Sequence, residues 1–322
     1  MQSRRVSESD FCMDPRRGDF FMKKILTIGP IFVIIAALLW SFDGVLRRSL
    51  YTLPPAVVVF YEHVLGAGIM LFFFKKWIKD LPKMTRREWV AIAGVALFSG
   101  ALGTIFYTAA LGKINYVQFS VVVLLQQTQP IWAILAAALI VKEKITKKFI
   151  AYALLALVAA YFISFKNLTP NLSTGDGTVI AALLALGAGM LWGSSTALSK
   201  YVLKKVSFIT ATALRFFLAP IFTLMIIIGG GDSSSLFTLS SEQWTTLLII
   251  TFSTGLLALG IYYYGLKKTQ AKVATICELV FPASAIFIDY FYYHNPLSPT
   301  QIGGVILLLF VIYQIAKMNR SK

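Results

Sequence analysis

The chain has 322 residues, 57% hydrophobic and 14% charged, with 25 Phe, 14 Tyr and 6 Trp, more apolar surface than a water-soluble domain of this size needs. Its net charge of +16 would suit nucleic acid only if the basic residues were gathered on a water-exposed domain; they lie in short connectors between apolar runs, which excludes nucleic acid and implies the lipid bilayer. Two cysteines, Cys12 and Cys277, supply neither a disulfide framework nor metal-ligand spacing, and no metal or other cofactor is implied.

In chain order, residues 1–21 are polar and mixed in charge, and read as a disordered tail. Met22-Lys23-Lys24 and the following ILTIGPIFVIIAALLW resemble a signal start, but the apolar stretch is too long for a cleaved peptide and lacks a small-residue cleavage site. It is read as a retained first span. Apolar runs of about 18 residues or more can cross roughly 30 Å of hydrocarbon as helices. Ten such segments are expected, near 25–45, 55–74, 88–111, 116–141, 149–165, 178–199, 207–228, 244–266, 271–292 and 299–316.

Lys and Arg concentrate on the cytoplasmic side of a membrane protein. With the N-terminus inside, 25 of the 30 basic residues fall in inner connectors and tails, and Arg47, Arg48, Lys113 and Lys166 fall outside; Arg215 is within a span. One missed or invented helix would reverse every later connector and spoil that split, so both termini are expected in the cytoplasm.

The two halves resemble each other. AALLWSFDGVLRR lies over GAGMLWGSSTALSK through Trp40 and Trp192, FYTAALGKIN over YYYGLKKTQ through Leu111 and Leu266, and LLQQTQPIW over ICELVFPAS through Pro130 and Pro282, at an offset near 152. Five spans per half is an odd number, so the halves enter the membrane in opposite directions, and inverted repeats are a signature of secondary transporters. The expected fold is an all-α polytopic membrane protein: ten transmembrane helices as two inverted five-helix repeats. The expected organisation is a tail over 1–21, a first repeat over 22–166, a connector over 167–177, a second repeat over 178–317 and a basic tail over 318–322.

These matches, with LRF at 214–216, the Tyr107–Leu111 and Tyr262–Leu266 span ends, and KEKIT at 142–146, resemble the EamA-type ten-helix branch of the drug/metabolite transporter superfamily over about residues 25–316, in two copies. The resemblance implies export, or sometimes import, of small polar metabolites such as amino acids by alternating access, driven by protons or exchange, and location in a bacterial plasma (inner) membrane. Two departures stand against carrying over any known substrate: HNPLS at 294–298 puts Asn295 where the family has an acid, and Glu62 sits where the second half has Arg215.

An ionisable group inside the bilayer is costly unless it faces protein or water, so each is a candidate for function. Counting 1.5 Å per residue from the span ends, Glu62 lies about 10 Å below the outer surface and Arg215 about 12 Å above the inner one. A cavity between them would present an acid above and a base below, suiting a zwitterion or polar metabolite. The alternative for Glu62, weighed behind the functional one, is a buried acid bound to a neighbouring helix, with Gly66 and Gly68 permitting close approach. Adjacent helical positions point about 100° apart, so His63 is expected to pack; should it face the cavity, it joins Glu62 as a possible proton carrier. Arg215 suits a substrate clamp or a partner for backbone carbonyls.

Pro130 and Pro282 each free a carbonyl one turn earlier, so both helices are expected to break there. Gln126 and Glu278, four residues before each proline, are the expected lining residues, Gln127 and Gln129 weaker ones, with Gln129 read chiefly as a helix–helix bond. Asp43 and Arg47 are spaced i, i+4 and read as a local ion pair, and Asp289 as a hydrated span end. Trp40 and Trp192 could stack on a substrate but read first as interfacial rings. Tyr107, Tyr262, Tyr263 and Tyr264 are secondary candidates for the wall.

A transferase acting on a lipid-linked substrate would need a metal-binding acidic cluster or a nucleophile with its base; the two histidines, His63 and His294, and the scattered acids supply neither, so no enzyme is expected. A passive channel or flippase is compatible with the repeat alone. Monomer and homodimer both remain open.

Overall fold

The computed structural model describes residues 15–113, 122, 125–164, 177–292 and 297–320. The start of the tail, the first part of the fourth apolar segment, connector residues 167–176, and His294 and Asn295 lie outside the described residues, as does the side chain of Asp289.

All regular structure among the described residues is helical. α1 (Pro15–Trp40) begins inside the expected tail and is followed after Ser41 and Phe42 by α2 (Asp43–Arg48). α3 (Pro55–Leu71) starts with proline in its first turn, where the missing N–H costs no helical bond. α4 (Phe74–Trp77) and a 3-10 turn (Ile78–Lys83) swing 83° away from it. α5 (Arg86–Val95) is launched by a capping box in which Thr85 and Glu88 satisfy each other's orphan backbone donors; it runs through a π-helical turn (Ala96–Leu102) into α6 (Gly103–Gly112). α7 (Gln129–Ala136) and α8 (Lys147–Ser164) end the first half. The second half comprises α9 (Gly177–Leu203), α10 (Phe208–Gly230), α11 (Ser241–Ile250), a second π-helical turn (Thr251–Leu257), α12 (Ala258–Lys267), α13 (Ala271–Cys277), α14 (Val280–Tyr292) and α15 (Pro299–Arg320).

Among the described residues six helical stretches are long and apolar enough to cross a membrane, and the bent pair Pro55–Leu71 with Phe74–Lys83 would make a seventh. The chain is thus a polytopic, all-helical membrane protein. The other apolar segments are helical but shorter or broken: α7 with its π-helical extension Ala137–Val141, α8, and α13 with α14. Large apolar side chains such as Leu139, Met225, Ile306 and Tyr313 are exposed on the outer faces while Glu62, His63 and Gln126 are buried. That inverts the soluble pattern and suits lipid outside and polar groups within.

α1 lies along α12, α9 along α6 and α7, α3 along α10 and α8 along α15. Each pairing joins an element of one half to an element of the other. Lipid offers no hydrophobic drive for such contacts, so small residues that let backbones close up do the work. A Cβ on Gly193 of α9 would stand 2.5 Å from the Gln129 carbonyl oxygen and 2.9 Å from the Ala133 amide nitrogen.

The connector ends expected in the cytoplasm are tied across the halves. Asp80 accepts hydrogen bonds from the Ser207 amide (2.7 Å) and the Thr210 hydroxyl (2.7 Å) at the start of α10, and from Lys83 (2.7 Å). Burial alone would raise this carboxyl, but those donors hold it well below the usual range. Glu143 of KEKIT accepts from the Ala271 (2.8 Å) and Lys272 (3.2 Å) amides at the start of α13, placing an anion on the positive end of that helix.

Candidate transport cavity

Between the halves lies a cavity lined by α1, α2, α3, the two π-helical turns, α6, the start of α7, α9, α10, α12 and the α13–α14 break. The structure brings Trp40, Glu62, His63, Tyr107, Gln126, Trp192, Arg215, Tyr262 and Glu278 onto this one wall. The weaker candidates Gln127, Gln129 and Tyr263 also line it, and the structure adds residues that sequence reasoning set aside or missed: Asp43, Arg47, Ser99, Thr104, Ser195, Thr196, Ser199 and Thr254. Tyr264 packs elsewhere, edge-on to Phe32 at 4.7 Å and under the Lys268 ammonium at 3.7 Å. Pro130 and Pro282 are not among the lining residues. Each sits in the first turn of the helix that follows a break, at Gln127–Thr128 and at Glu278–Leu279.

One cluster is ionic. Arg47 Nε meets Asp43 Oδ2 at 2.5 Å and its Nη2 meets Glu62 Oε2 at 2.7 Å, with Nη1 3.4 Å from the Thr108 hydroxyl. Asp43 Oδ1 accepts from the Thr254 hydroxyl at 2.5 Å. The partner of Glu62 is therefore Arg47, on a short helix that sequence had placed in an outer connector, and not Arg215. A basic residue at a span end reads as a connector charge, yet α2 folds inward and leaves Arg47 only 4% exposed. The Asp43–Arg47 pair is local as expected, but it also belongs to the cavity wall.

The π-helical turns explain two further contacts. A π turn widens the helix and frees backbone carbonyls, a device common at functional sites. The Ser99 carbonyl accepts from Arg215 Nη2 at 3.1 Å, and the Thr254 carbonyl accepts from Trp40 Nε1 at 2.9 Å. The short resemblance of Phe-Ser-Gly at 98–100 to Phe-Ser-Thr-Gly at 252–255 was the available signal. His63 packs as expected, Nδ1 donating to the Val59 carbonyl at 2.9 Å and its ring 5.0 Å from Phe216, while also bordering the cavity.

Trp40 and Trp192, read first as interfacial rings, line the cavity wall. Trp40 lies 5.1 Å from Tyr262 at 53°, and Trp192 lies 5.1 Å from Tyr107 at 55°. Each pair joins one half to the other, and the two geometries match. On the remaining face Glu278 Oε1 accepts from the Tyr262 hydroxyl at 2.8 Å and Oε2 from Gln129 Nε2 at 2.6 Å. Gln129 thus makes the inter-helix bond expected of it. Among the described residues, three lining atoms are buried with no hydrogen-bond partner: Tyr107 Oη, Gln126 Oε1 and Arg215 Nε. Leaving such groups unsatisfied costs about 1–3 kcal/mol each, which a bound polar molecule would recover. Among the described residues no group of His, Cys, Asp and Glu could hold a metal ion.

The chain matches the EamA-like transporter family over residues 27–165 and 179–316. It is 36% identical over 293 residues to the riboflavin transporter ImpX of Fusobacterium nucleatum, covering 90% of this chain and 98% of that protein. It is 25% identical over 262 residues to an uncharacterized transporter of Synechocystis, covering 78% of this chain and 73% of that one. Protein LicB of Haemophilus influenzae is 24% identical over 294 residues, 87% of this chain and 94% of its own. A solved crystal structure aligns with a TM-score of 0.67 at 15% identity, over 90% of this chain and 96% of that one; at that identity it shows the fold alone.

Proposed function

Because the chain belongs to the EamA-like transporter family, we propose that it carries a planar, uncharged heteroaromatic metabolite of the flavin class across a bacterial plasma membrane by alternating access. In this reading ten spans form two inverted halves, residues 22–166 and 178–317, with both termini in the cytoplasm. The observation that carries the cargo class is the pair of cross-half Trp–Tyr contacts beside three unsatisfied polar atoms, Tyr107 Oη, Gln126 Oε1 and Arg215 Nε. Aromatic side chains offer a planar ring offset-stacked or edge-on contact. The polar atoms offer donors and an acceptor to the carbonyl and N–H edge of such a ring, the usual division of labour in a small-molecule site. The 36% identity to a riboflavin transporter supports the same class. An amino-acid zwitterion is less well served, because Arg47 already holds Asp43 and Glu62.

The test is counterflow in proteoliposomes holding the full chain, with riboflavin, nucleosides, sugars and amino acids offered in turn. Saturable riboflavin entry stimulated by internal riboflavin is the expected result. Counterflow of amino acids with none of riboflavin would overturn the cargo. Flux without trans-stimulation would make the protein a channel, and product formation without net movement would make it an enzyme.

A further inference from the structure

Of the three carboxylates among the described lining residues, Asp43 and Glu62 share Arg47, whereas Glu278 is held by neutral donors from both halves. We infer that Glu278 is the cavity's proton-binding carboxyl, alternating between acid and carboxylate as the halves move, and so couples flavin transport to a proton. The inference rests on the transport reading above and names its coupling ion and the residue that carries it.

The hydrogen-bond chain around Glu278 accommodates both forms. As a carboxylate it accepts from Gln129 Nε2 and the Tyr262 hydroxyl. The Tyr262 hydroxyl also lies 3.2 Å from Thr196 Oγ1, which lies 3.2 Å from the Trp192 carbonyl. On protonation the acid donates to Tyr262 Oη, and the tyrosine hydrogen turns to Thr196. A hydroxyl has one donor and two acceptor sites, so this reversal needs no heavy atom to move. Only an O–H bond forms or breaks: the proton is taken from water on one side and returned to water on the other.

The remaining cavity acids and bases are poorer carriers. Glu62 would have to give up its ion pair with Arg47 to accept a proton, and protonated His63 would bring a third cation to a cavity wall that already holds Arg47 and Arg215. The groups around Glu278 are accounted for: Tyr262 and Tyr263 come from α12, Gln129 from α7, and Cys277 and Lys272 from its own helix, Lys272 being bonded to the Lys144 carbonyl. From α9, Lys200 is bound to the Leu266 and Lys267 carbonyls. Glu278 also sits at a helix break against Gln129, where a relative movement of the halves must alter its surroundings.

Two readouts separate this inference from the cargo reading. In proteoliposomes, one proton per substrate across a gradient of about one pH unit sustains roughly tenfold accumulation, since one unit is 1.36 kcal/mol. Wild type is expected to reach that figure, Glu278→Asp to approach it and Glu278→Gln to accumulate nothing, each compared with its own counterflow rate. In infrared difference spectra taken between acid and alkaline buffers without substrate, subtracting the Glu278→Gln spectrum from that of wild type is expected to leave one protonated-carboxyl band. No such band in the subtraction, or gradient-driven accumulation that survives Glu278→Gln, overturns the inference. If wild type moves no flavin, the cargo reading fails, and the infrared arm still decides whether Glu278 is the proton-binding group.

Discussion

The sharpest test of the cavity's electrostatics is Arg47→Met. Methionine approximates the arginine stem and removes only the guanidinium, stranding Asp43 and Glu62, which are 8% and 5% exposed. Arg47 gives each acid a charge-assisted bond of 2.5 or 2.7 Å, and such bonds contribute about 1.5–3 kcal/mol apiece. Breaking a buried pair by removing one partner costs about 3–5 kcal/mol, whereas replacing the whole set by neutral groups is often neutral or favourable. The single variant should therefore lose about 3–5 kcal/mol of unfolding free energy in SDS titrations of mixed micelles followed by circular dichroism. The triple variant Asp43→Asn, Arg47→Met, Glu62→Gln should recover most of it. A single variant within about 1 kcal/mol of wild type, the range of an exposed ion pair, would refute the reasoning. A triple variant no better than the single would assign the loss to packing of the arginine stem.

Three further outcomes are expected. Asp80 has its folded pKa depressed, so its contribution is present above the ordinary carboxylate range near 3.9 and lost as pH falls through the lower folded value; Asp80→Asn should be less stable than wild type at neutral pH, and the gap should close in acid, as read by thermal melts across pH. Gly193→Ala sets a methyl against the backbone of α7 and should cost about 1–3 kcal/mol, while Gly68→Ala, with open space at that position, should stay within about 0.5 kcal/mol of wild type in the same titration. Trp40→Leu and Trp192→Leu should each weaken flavin binding by about 0.5–1.5 kcal/mol, roughly two- to twelvefold, if the rings stack on cargo; unchanged affinity by flavin fluorescence titration would assign them to the Tyr262 and Tyr107 contacts alone.

The helices and the polar wall were legible for different reasons. Apolar runs between basic connectors announce spans, and an ionisable residue within one is conspicuous, so Glu62, Arg215 and Glu278 stood out. Pro130 and Pro282 announced the breaks through their missing N–H. The Arg47–Glu62 pair was hidden because its members lie on different helices and Arg47 sits at a span end. The π-helical turns were hidden because a change from i−4 to i−5 bonding leaves composition untouched. Trp40 and Trp192 read first as interfacial because a ring near a span end satisfies that pattern, and only the packing of α1 on α12 and of α9 on α6 shows them on the cavity wall.

What joins the halves differs from what fills the cavity. The wall's ion pairs, Asp43–Arg47–Glu62, lie wholly within the first half, and their second-half counterparts at the 152-residue offset include Ser195 and Ser199. The hydrogen bonds of the cavity wall that cross include Thr254 to Asp43, Trp40 to the Thr254 carbonyl, Gln129 to Glu278 and Arg215 to the Ser99 carbonyl. Each is a single hydrogen bond of about 0.5–3 kcal/mol, and each can be exchanged for one to water or cargo when the halves part. A movement that had to break the buried ion pairs would face several kcal/mol of uncompensated charge. Keeping the cavity's ion pairs within a half and hydrogen bonds between halves would therefore let the two arrangements that the proposed alternating access requires lie close in energy, with Glu278 the carboxyl placed where the halves meet.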